Sequence, residues 1–132
     1  MDSDGDSDSK VLLYIEDNPD NVLFMTSFID VMEGWSIVIC KTAEEGIDYA
    51  GSTPVDLILT DINLPGMNGI EAVRRLRAMP GLDGAFPIFV ISADATQETI
   101  DVAMAAGVTR YLTKPTRLRE LRALLESLPD SN

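Results

Sequence analysis

The 132-residue sequence contains no histidine and a single cysteine, Cys40. Without histidine, imidazole catalysis and histidine-ligated metal sites are excluded. One cysteine cannot form an internal disulfide, so the fold must depend on its hydrophobic core. Basic residues are also scarce, since 10 Lys and Arg face 22 Asp and Glu and leave a formal charge of −12. We therefore expect no nucleic-acid partner, because nucleic-acid surfaces need clustered positive charge.

Long apolar segments are missing as well. Apolar runs such as residues 11–13 and 88–91 are much shorter than the roughly 20 residues of a membrane-spanning helix. The N-terminus has no basic segment followed by an apolar one, as a signal peptide would have. We expect a cytoplasmic protein without a membrane partner, and the 45% apolar residues are enough for the core of one domain.

The first nine residues carry an acidic residue at every second position and nothing to bury. This composition predicts a disordered acidic tail over residues 1–9, followed by a domain over residues 10–132. A calcium-binding loop is the alternative, because the first three acidic positions match its ligand spacing. That loop requires glycine where Ser7 stands and glutamate where Leu13 stands, so the tail is favoured.

From Lys10 onward, short apolar segments rich in branched residues alternate with segments of helical periodicity. Five strands are predicted, at residues 11–15, 36–40, 55–60, 87–92 and 108–113. Five helices are predicted, at residues 19–33, 42–50, 69–79, 96–106 and 116–128. Strands that are apolar on both faces and alternate with helices indicate an α/β fold, in which helices cover both sides of a parallel sheet.

Polar residues stand where the predicted strands end. Glu16 and Asp17 follow the first strand, Asp61 follows the third, and Ser92 and Lys114 mark the ends of the fourth and fifth. Because the carboxyl ends of parallel strands meet at one edge of the sheet, we expect these side chains to converge. A strand end is often polar for no functional reason, so the combination is the evidence rather than any one residue.

Three carboxylates close together repel one another unless a cation or a proton compensates them. Oxygen ligands without Cys or His favour a hard ion such as Mg²⁺, which typically takes one or two carboxylates and a phosphate oxygen. In such a site Lys114 would contact phosphoryl oxygens, Ser92 would donate a hydrogen bond to one, and Asp61 would be the nucleophile. The pattern therefore predicts a magnesium-dependent phosphoryl site.

Four motifs contain these residues: YIEDN at 14–18, DINLPGMNG at 61–69, ISA at 91–93 and YLTKP at 111–115. Together they resemble the receiver domain of two-component response regulators, over residues 10–128. The sequence EDNP at residues 16–19 is most similar to that of receivers associated with hybrid histidine kinases. The resemblance implies a flavodoxin-like, doubly wound sheet of five parallel strands in the order 2-1-3-4-5, with five helices.

The resemblance also implies roles for the acidic residues. Asp61 would be the phosphoacceptor, and Asp17, Asp61 and the backbone carbonyl of Asn63 would bind Mg²⁺ directly. Glu16 would contribute to the metal site through water.

Further roles follow for the last two strands. Lys114 would contact the phosphoryl group, and the Lys114–Pro115 peptide bond is expected to be cis. Ser92 and Tyr111 would form the switch, in which Tyr111 reorients when Ser92 bonds to the phosphoryl group. Taken alone, Tyr111 is typical of a half-buried strand aromatic and Ser92 of a strand-end hydroxyl.

By this resemblance we expect the chain to be a phosphorylation-activated switch in a two-component phosphorelay, whose only catalysis would be its own phosphorylation and dephosphorylation. The partners would be a histidine kinase or histidine phosphotransfer protein and an unknown output protein, contacted through helix 4, strand 5 and helix 5. Residues 110–122 hold five of the ten basic residues, which predicts a basic patch on the output face that binds an acidic partner surface. The alternative is a solvated helix face whose arginines pair with Glu98 or Asp101. Because Thr109 and Arg110 replace the acidic residues that often precede the switch tyrosine in dimeric receivers, we expect a monomer or weak dimer.

One alternative arrangement is a receiver module excised from a larger hybrid kinase or regulator, and two other functions compete with this one. An aspartate-nucleophile phosphatase needs a second aspartate two residues after the nucleophile, but Asn63 stands there and cannot transfer a proton. A flavodoxin-like carrier needs a neutral phosphate loop after the first strand, where Glu16, Asp17 and Asp20 would repel a flavin phosphate.

Overall fold

Residues 9–128 are described by the computed structural model of the chain. They contain a parallel sheet of five strands in the order β2-β1-β3-β4-β5. In chain order the strands are β1 Lys10–Ile15, β2 Trp35–Cys40, β3 Leu57–Asp61, β4 Ile88–Ser92 and β5 Arg110–Thr113. The predicted α/β fold and strand order are confirmed. The predicted acidic tail lies outside the described residues except for Ser9, and so does the acidic part of the calcium-loop alternative.

Five helices join and cover the strands. They are α1 Pro19–Asp30, α2 Ala43–Ser52, α3 Gly69–Arg77, α4 Gln97–Ala106 and α5 Leu118–Glu126. Short polar side chains cap the first four, each accepting hydrogen bonds from backbone N–H groups of the first turn: Asn18, Thr42, Asn68 and Thr96. Within residues 9–128, none of the helices combines the length and the apolar content needed to cross a bilayer.

The turn between α4 and β5 explains why this strand starts later than predicted. Gly107, the predicted helix stop, has a φ of 113°, in the left-handed region that favours glycine. The Val108 N–H then bonds to the Ala103 carbonyl and completes the end of α4. The strand therefore begins at Arg110 rather than at residue 108.

Side chains of the strands alternate between two apolar layers. One layer packs against α2, α3 and α4 and includes Leu13, Ile58 and Val90. The other packs against α1 and α5 and includes Leu12, Leu59 and Ile91. This period-two alternation is the geometry of extended strands, and it determines which layer lies next to each residue near a strand end.

Arg77, the last residue of α3, forms hydrogen bonds at the amino ends of β4 and β5, opposite the predicted site. Its guanidinium donates hydrogen bonds to the carbonyls of Gly107, Leu82 and Phe86, at distances of 2.9, 2.8 and 2.7 Å. A fourth bond, 3.1 Å long, reaches the Thr109 hydroxyl. One side chain thus joins the end of α3 to the segments that precede β4 and β5.

We predict that Arg77→Met lowers the free energy of unfolding by about 2–3 kcal/mol, because it leaves part-buried carbonyls without a donor while keeping an aliphatic side chain of similar length. Chemical denaturation measures the loss. Arg74→Met is the matched control, since Arg74 lies on the same helix and, among residues 9–128, forms its ion pair with Glu71 on the surface of that helix. Equal losses in the two variants would contradict a special role for Arg77.

Candidate functional site

At the carboxyl edge of the sheet, one lysine joins two buried carboxylates. Asp61 is the last residue of β3, Glu16 follows β1 and Lys114 follows β5. Lys114 Nζ lies 2.5 Å from Asp61 Oδ2 and 3.7 Å from Glu16 Oε1. Only 1% of Glu16 and 4% of Asp61 is exposed, so water screens their mutual repulsion poorly. The lysine ammonium supplies the opposite charge that this pair of carboxylates requires.

Glu16 is held from two elements. The Tyr14 hydroxyl on β1 and the Asn21 amide on α1 both donate to Glu16 Oε1, at 3.1 and 3.3 Å, while the Asn18 N–H donates to Oε2 at 3.2 Å. Burial raises the pKa of the Glu16 carboxyl above its ordinary value, against the opposing effect of the Asn18 N–H bond. Burial also raises the pKa of the Tyr14 phenol, reinforced by the Glu16 carboxylate, so this hydroxyl remains a donor.

The loop after β3 fixes the Asp61 carboxylate and passes close to the Asp61 carbonyl. The Asn63 N–H donates to Asp61 Oδ1 at 2.9 Å, and the Gly69 N–H returns to the Ile62 carbonyl at 2.8 Å. A Cβ at position 69 would clash with the Asp61 carbonyl and lie 2.9 Å from Ile62 Cα. Glycine is therefore required where α3 starts beneath the end of β3. The Asn63 side chain is exposed.

Ser92 ends β4 and is completely buried. Its Oγ accepts a hydrogen bond from the Asp94 N–H at 3.0 Å, and its carbonyl accepts one from the Lys114 N–H at 2.8 Å. The Lys114–Pro115 peptide bond is cis, as predicted. Ser92 thus connects the strand that carries the lysine to the loop that leads into α4.

Asp94 links the two predicted switch residues. The hydroxyl of the half-buried Tyr111 donates to the Asp94 carbonyl, while the Asp94 N–H donates to Ser92. The Asp94 carboxylate accepts from the Thr96 N–H at 2.9 Å and from the Thr99 hydroxyl at 2.8 Å. These bonds lower the pKa of the Asp94 carboxyl, the Thr96 N–H first. A movement of the Ser92 hydroxyl would therefore shift Asp94 and so disturb the hydrogen bonds of Asp94 to Tyr111 and to the first turn of α4.

Asp17 is exposed at the start of the loop between β1 and α1. Among residues 9–128, no three Asp, Glu or Cys side chains stand close enough together to hold a metal ion. The structure therefore brings Glu16, Asp61 and Lys114 together, with Ser92 beside Lys114, but does not place Asp17 in one cluster with the other two carboxylates.

An apolar cavity adjoins the site on the side of α1 and α5. It has a volume of 470 Å³, and its lining includes Tyr14, Asn21, Phe24, Lys114 and Leu121. A shallower groove of 420 Å³ continues it between α1 and the start of α5, where large apolar side chains are exposed: Leu23, Phe24 and Val31 from α1 and its end, and Leu118 from α5. Exposed apolar surface of this kind is typical of a protein-binding face.

Sequence reasoning did not identify Tyr14, Asn21 and Asp94 as parts of the site. Tyr14 had a usable signal, because residues two apart on a strand share a face and Tyr14 precedes Glu16 by two. Asn21 lies at the third residue of α1, and only the packing of that helix on β1 brings its amide to Glu16. Asp94 acts largely through its backbone, which sequence patterns do not report.

Comparison with known proteins gives a consistent result. A family model described as the response regulator receiver domain matches residues 12–126. The sensory/regulatory protein RpfC of Xanthomonas campestris is 28% identical over 120 residues, which are 90% of this chain and 16% of that protein. The signal transduction histidine-protein kinase BarA of Escherichia coli is 28% identical over 114 residues, 86% of this chain and 12% of that protein. The chain therefore spans less than a fifth of the length of either relative.

Solved structures agree in fold. The receiver domain of a sensor histidine kinase from Pseudomonas aeruginosa, with a magnesium ion coordinated in its active-site cleft, is 28% identical and superimposes with a TM-score of 0.81 over 91% of this chain and 97% of that one. A two-component response regulator from Clostridium difficile is 26% identical, with a TM-score of 0.82 over 91% of this chain and 95% of that one.

Proposed function

The chain belongs to the family of response regulator receiver domains, and on that premise we propose that it is a phosphorylation-activated switch with Asp61 as the phosphoacceptor. The observation that carries this proposal is the contact between Lys114 Nζ and the buried Asp61 Oδ2, 2.5 Å apart at the carboxyl edge of the sheet. A cation held on this carboxylate is suited to contact the oxygens of a phosphoryl group that Asp61 accepts.

In the proposed reaction an Asp61 carboxylate oxygen attacks the phosphorus of a phosphohistidine on the donor protein. A P–O bond forms as the donor's P–N bond breaks, and the electron pair remains on the imidazole nitrogen, which takes up a proton from solvent. The Lys114 ammonium, which contacts the Asp61 carboxylate before the reaction, then contacts the phosphoryl oxygens. The donor is a histidine kinase or a histidine phosphotransfer protein, and the exposed apolar face of α1 next to the site is suited to contact it.

Mg²⁺ fits the donor set of this edge. The acidic side chains offer only oxygen ligands, which this ion prefers. We propose that Asp17, Asp61 and the Asn63 carbonyl bind it directly and that Glu16 acts through water, with Asp17 turning in from its exposed position. The magnesium ion in the active-site cleft of the Pseudomonas aeruginosa receiver supports the choice of ion. When bound, the ion supplies positive charge that offsets the repulsion between an anionic donor and the carboxylates.

Beyond its own phosphorylation and dephosphorylation, we propose no enzymatic activity for the chain. Asn63 stands where an aspartate-nucleophile phosphatase carries its acid–base aspartate, and it is exposed. A receiver module within a longer hybrid kinase or regulator remains the alternative arrangement. Cytoplasmic location and a monomeric or weakly dimeric state stay predictions.

We propose that the output face is formed by α4, β5 and α5. Between the edge strand β5 and α5 lies a groove of 680 Å³, whose lining includes Arg110, Tyr111 and Arg117. In residues 9–128, Arg122 pairs with Glu126 of its own helix, and no arginine of this face pairs with Glu98 or Asp101. This supports a basic patch that is available to an acidic partner surface.

We predict that the parent chain incubated with Mg²⁺ and acetyl phosphate gains the mass of one phosphate, whereas Asp61→Asn gains none. The substitution removes the nucleophilic oxygen but keeps the size of the side chain, and Mg²⁺ is required because donor and site are both anionic. Intact-mass spectrometry checks both statements, with EDTA as the control. Labelling of Asp61→Asn to the same extent as the parent chain would contradict the assignment of Asp61 as the phosphoacceptor.

Mg²⁺ affinity should fall more in Asp17→Asn than in Glu16→Gln. A direct ligand loses a contact with the ion, whereas an outer carboxylate loses orientation and charge, for which factors of about 10 to 100 are usual. Calorimetric titration of each variant with Mg²⁺ gives the order. An unchanged affinity in Asp17→Asn would remove this residue from the metal site.

Beryllofluoride, which mimics a phosphoryl group, should shift the amide resonances of Tyr111 and of residues 96–122 in addition to those of the edge. A charged group on Asp61 would accept a hydrogen bond from the Ser92 hydroxyl and draw its Oγ away from the Asp94 N–H, which disturbs the bond between Asp94 and Tyr111. Ser92→Ala should weaken the distant shifts and leave those at the edge. Shifts confined to the edge in the parent chain would rule out this output route.

A further inference from the structure

The buried Glu16 carboxylate accepts hydrogen bonds from three neutral donors. Its Oε1 accepts from the Tyr14 hydroxyl and the Asn21 amide, and its Oε2 accepts from the Asn18 N–H. Donors on both oxygens fix the plane of the carboxylate as well as its position. The carboxylate thereby presents its remaining lone pairs in set directions.

Lys114 is the one partner of Glu16 that the proposed reaction uses elsewhere. Its Nζ is 3.7 Å from Glu16 Oε1 and 2.5 Å from Asp61 Oδ2, so a phosphoryl group on Asp61 draws it away from Glu16. Tyr14 and Asn21 are not subject to this competition, because neither donates to Asp61. They are the side chains that still hold Oε1 when the lysine turns to the phosphoryl group.

Tyr14 is held more firmly than Asn21. It is 2% exposed on β1, a strand paired on both sides, by β2 and β3, and its ring packs in the layer beneath α1 and α5. A phenylalanine would fill the same space in that layer. The hydroxyl is therefore not needed for packing, and its one described bond is to Glu16.

We propose that Tyr14 is a positioning residue of the magnesium site: its hydroxyl, together with the Asn21 amide, orients the Glu16 carboxylate toward the water through which Glu16 serves the ion. This inference rests on the proposed function, because it presupposes Mg²⁺ at this edge. Tyr14 itself touches neither ion nor phosphoryl group. Its contribution passes through Glu16 alone, and this makes it separable by experiment.

The test is calorimetric titration with Mg²⁺ of the parent, Tyr14→Phe, Glu16→Gln and the double variant. Tyr14→Phe should weaken Mg²⁺ binding by about 3- to 10-fold, at or below the low end of the range usual for groups that orient metal ligands. In the Glu16→Gln background the same substitution should have no further effect, because the carboxylate that it orients is gone. Tyr49→Phe is the matched control, since it removes a hydroxyl on α2, on the other side of the sheet, and should bind Mg²⁺ as the parent does.

Unfolding midpoints of all the variants accompany the titrations, so that a loss of affinity is compared between folded proteins. If Tyr14→Phe misfolds, Asn21→Ala removes the other donor to Oε1 from the surface of α1 and takes its place in the cycle. Affinity within twofold of the parent, or an equal loss in the presence and absence of Glu16, would overturn the inference while leaving the magnesium site intact. Failure of the parent to bind Mg²⁺ would overturn the proposed metal site itself.

Discussion

The carboxyl edge of this sheet depends on one ammonium group shared by two buried carboxylates. Burying an ion typically costs several kcal/mol even after relaxation, and two like charges side by side add repulsion to that cost. Lys114 offsets both by lying against Asp61 and near Glu16. It must reach across β4 to do so, because neighbouring strands are about 4.8 Å apart and β4 separates β5 from β3. Only a long side chain at this position could serve.

The alternation of the strands separates the chemistry from the switch. Tyr14, Leu59 and Leu112 belong to the layer beneath α1 and α5, and Glu16, Asp61 and Lys114 each stand two residues further along the same strand direction. Val90 and Tyr111 belong to the opposite layer, and Ser92 continues the alternation of Val90. The proposed phosphoacceptor Asp61 and Lys114 thus share one side of the sheet with the apolar face of α1, while Ser92 and Tyr111, the proposed switch residues, lie on the side of α4. The proposed route from Asp61 to α4 therefore runs around the end of β4, where Asp94 bonds to both Ser92 and Tyr111.

Much of this architecture could be predicted from the sequence, because its signals are local. The branched apolar runs gave the strands, and the polar residue after each run pointed to Glu16, Asp61, Ser92 and Lys114. The bounds were less accurate where tertiary bonds decide them, as at Val108, which completes α4 instead of starting β5. The orientation of Asp17 was not predictable, since an exposed loop carboxylate without a buried partner has no single preferred position. Asn21 and Asp94 join the site through helix packing and through backbone atoms, and composition and periodicity report neither.

The shared lysine also couples the two proposed ligands of the site. When Lys114 turns to a phosphoryl group, Glu16 and the acidic loop lose part of their counter-charge, so a divalent cation there becomes more favourable. Conversely, a cation bound beside Asp61 would neutralise the carboxylates in place of Lys114. The lysine ammonium could then contact the incoming phosphoryl oxygens. By linkage, phosphorylation must then raise the affinity for the cation by the same factor by which the bound cation raises the equilibrium constant of phosphorylation. The neutral donors Tyr14 and Asn21 are suited to hold Glu16 during this exchange, because both bond to its Oε1 and neither bonds to Asp61.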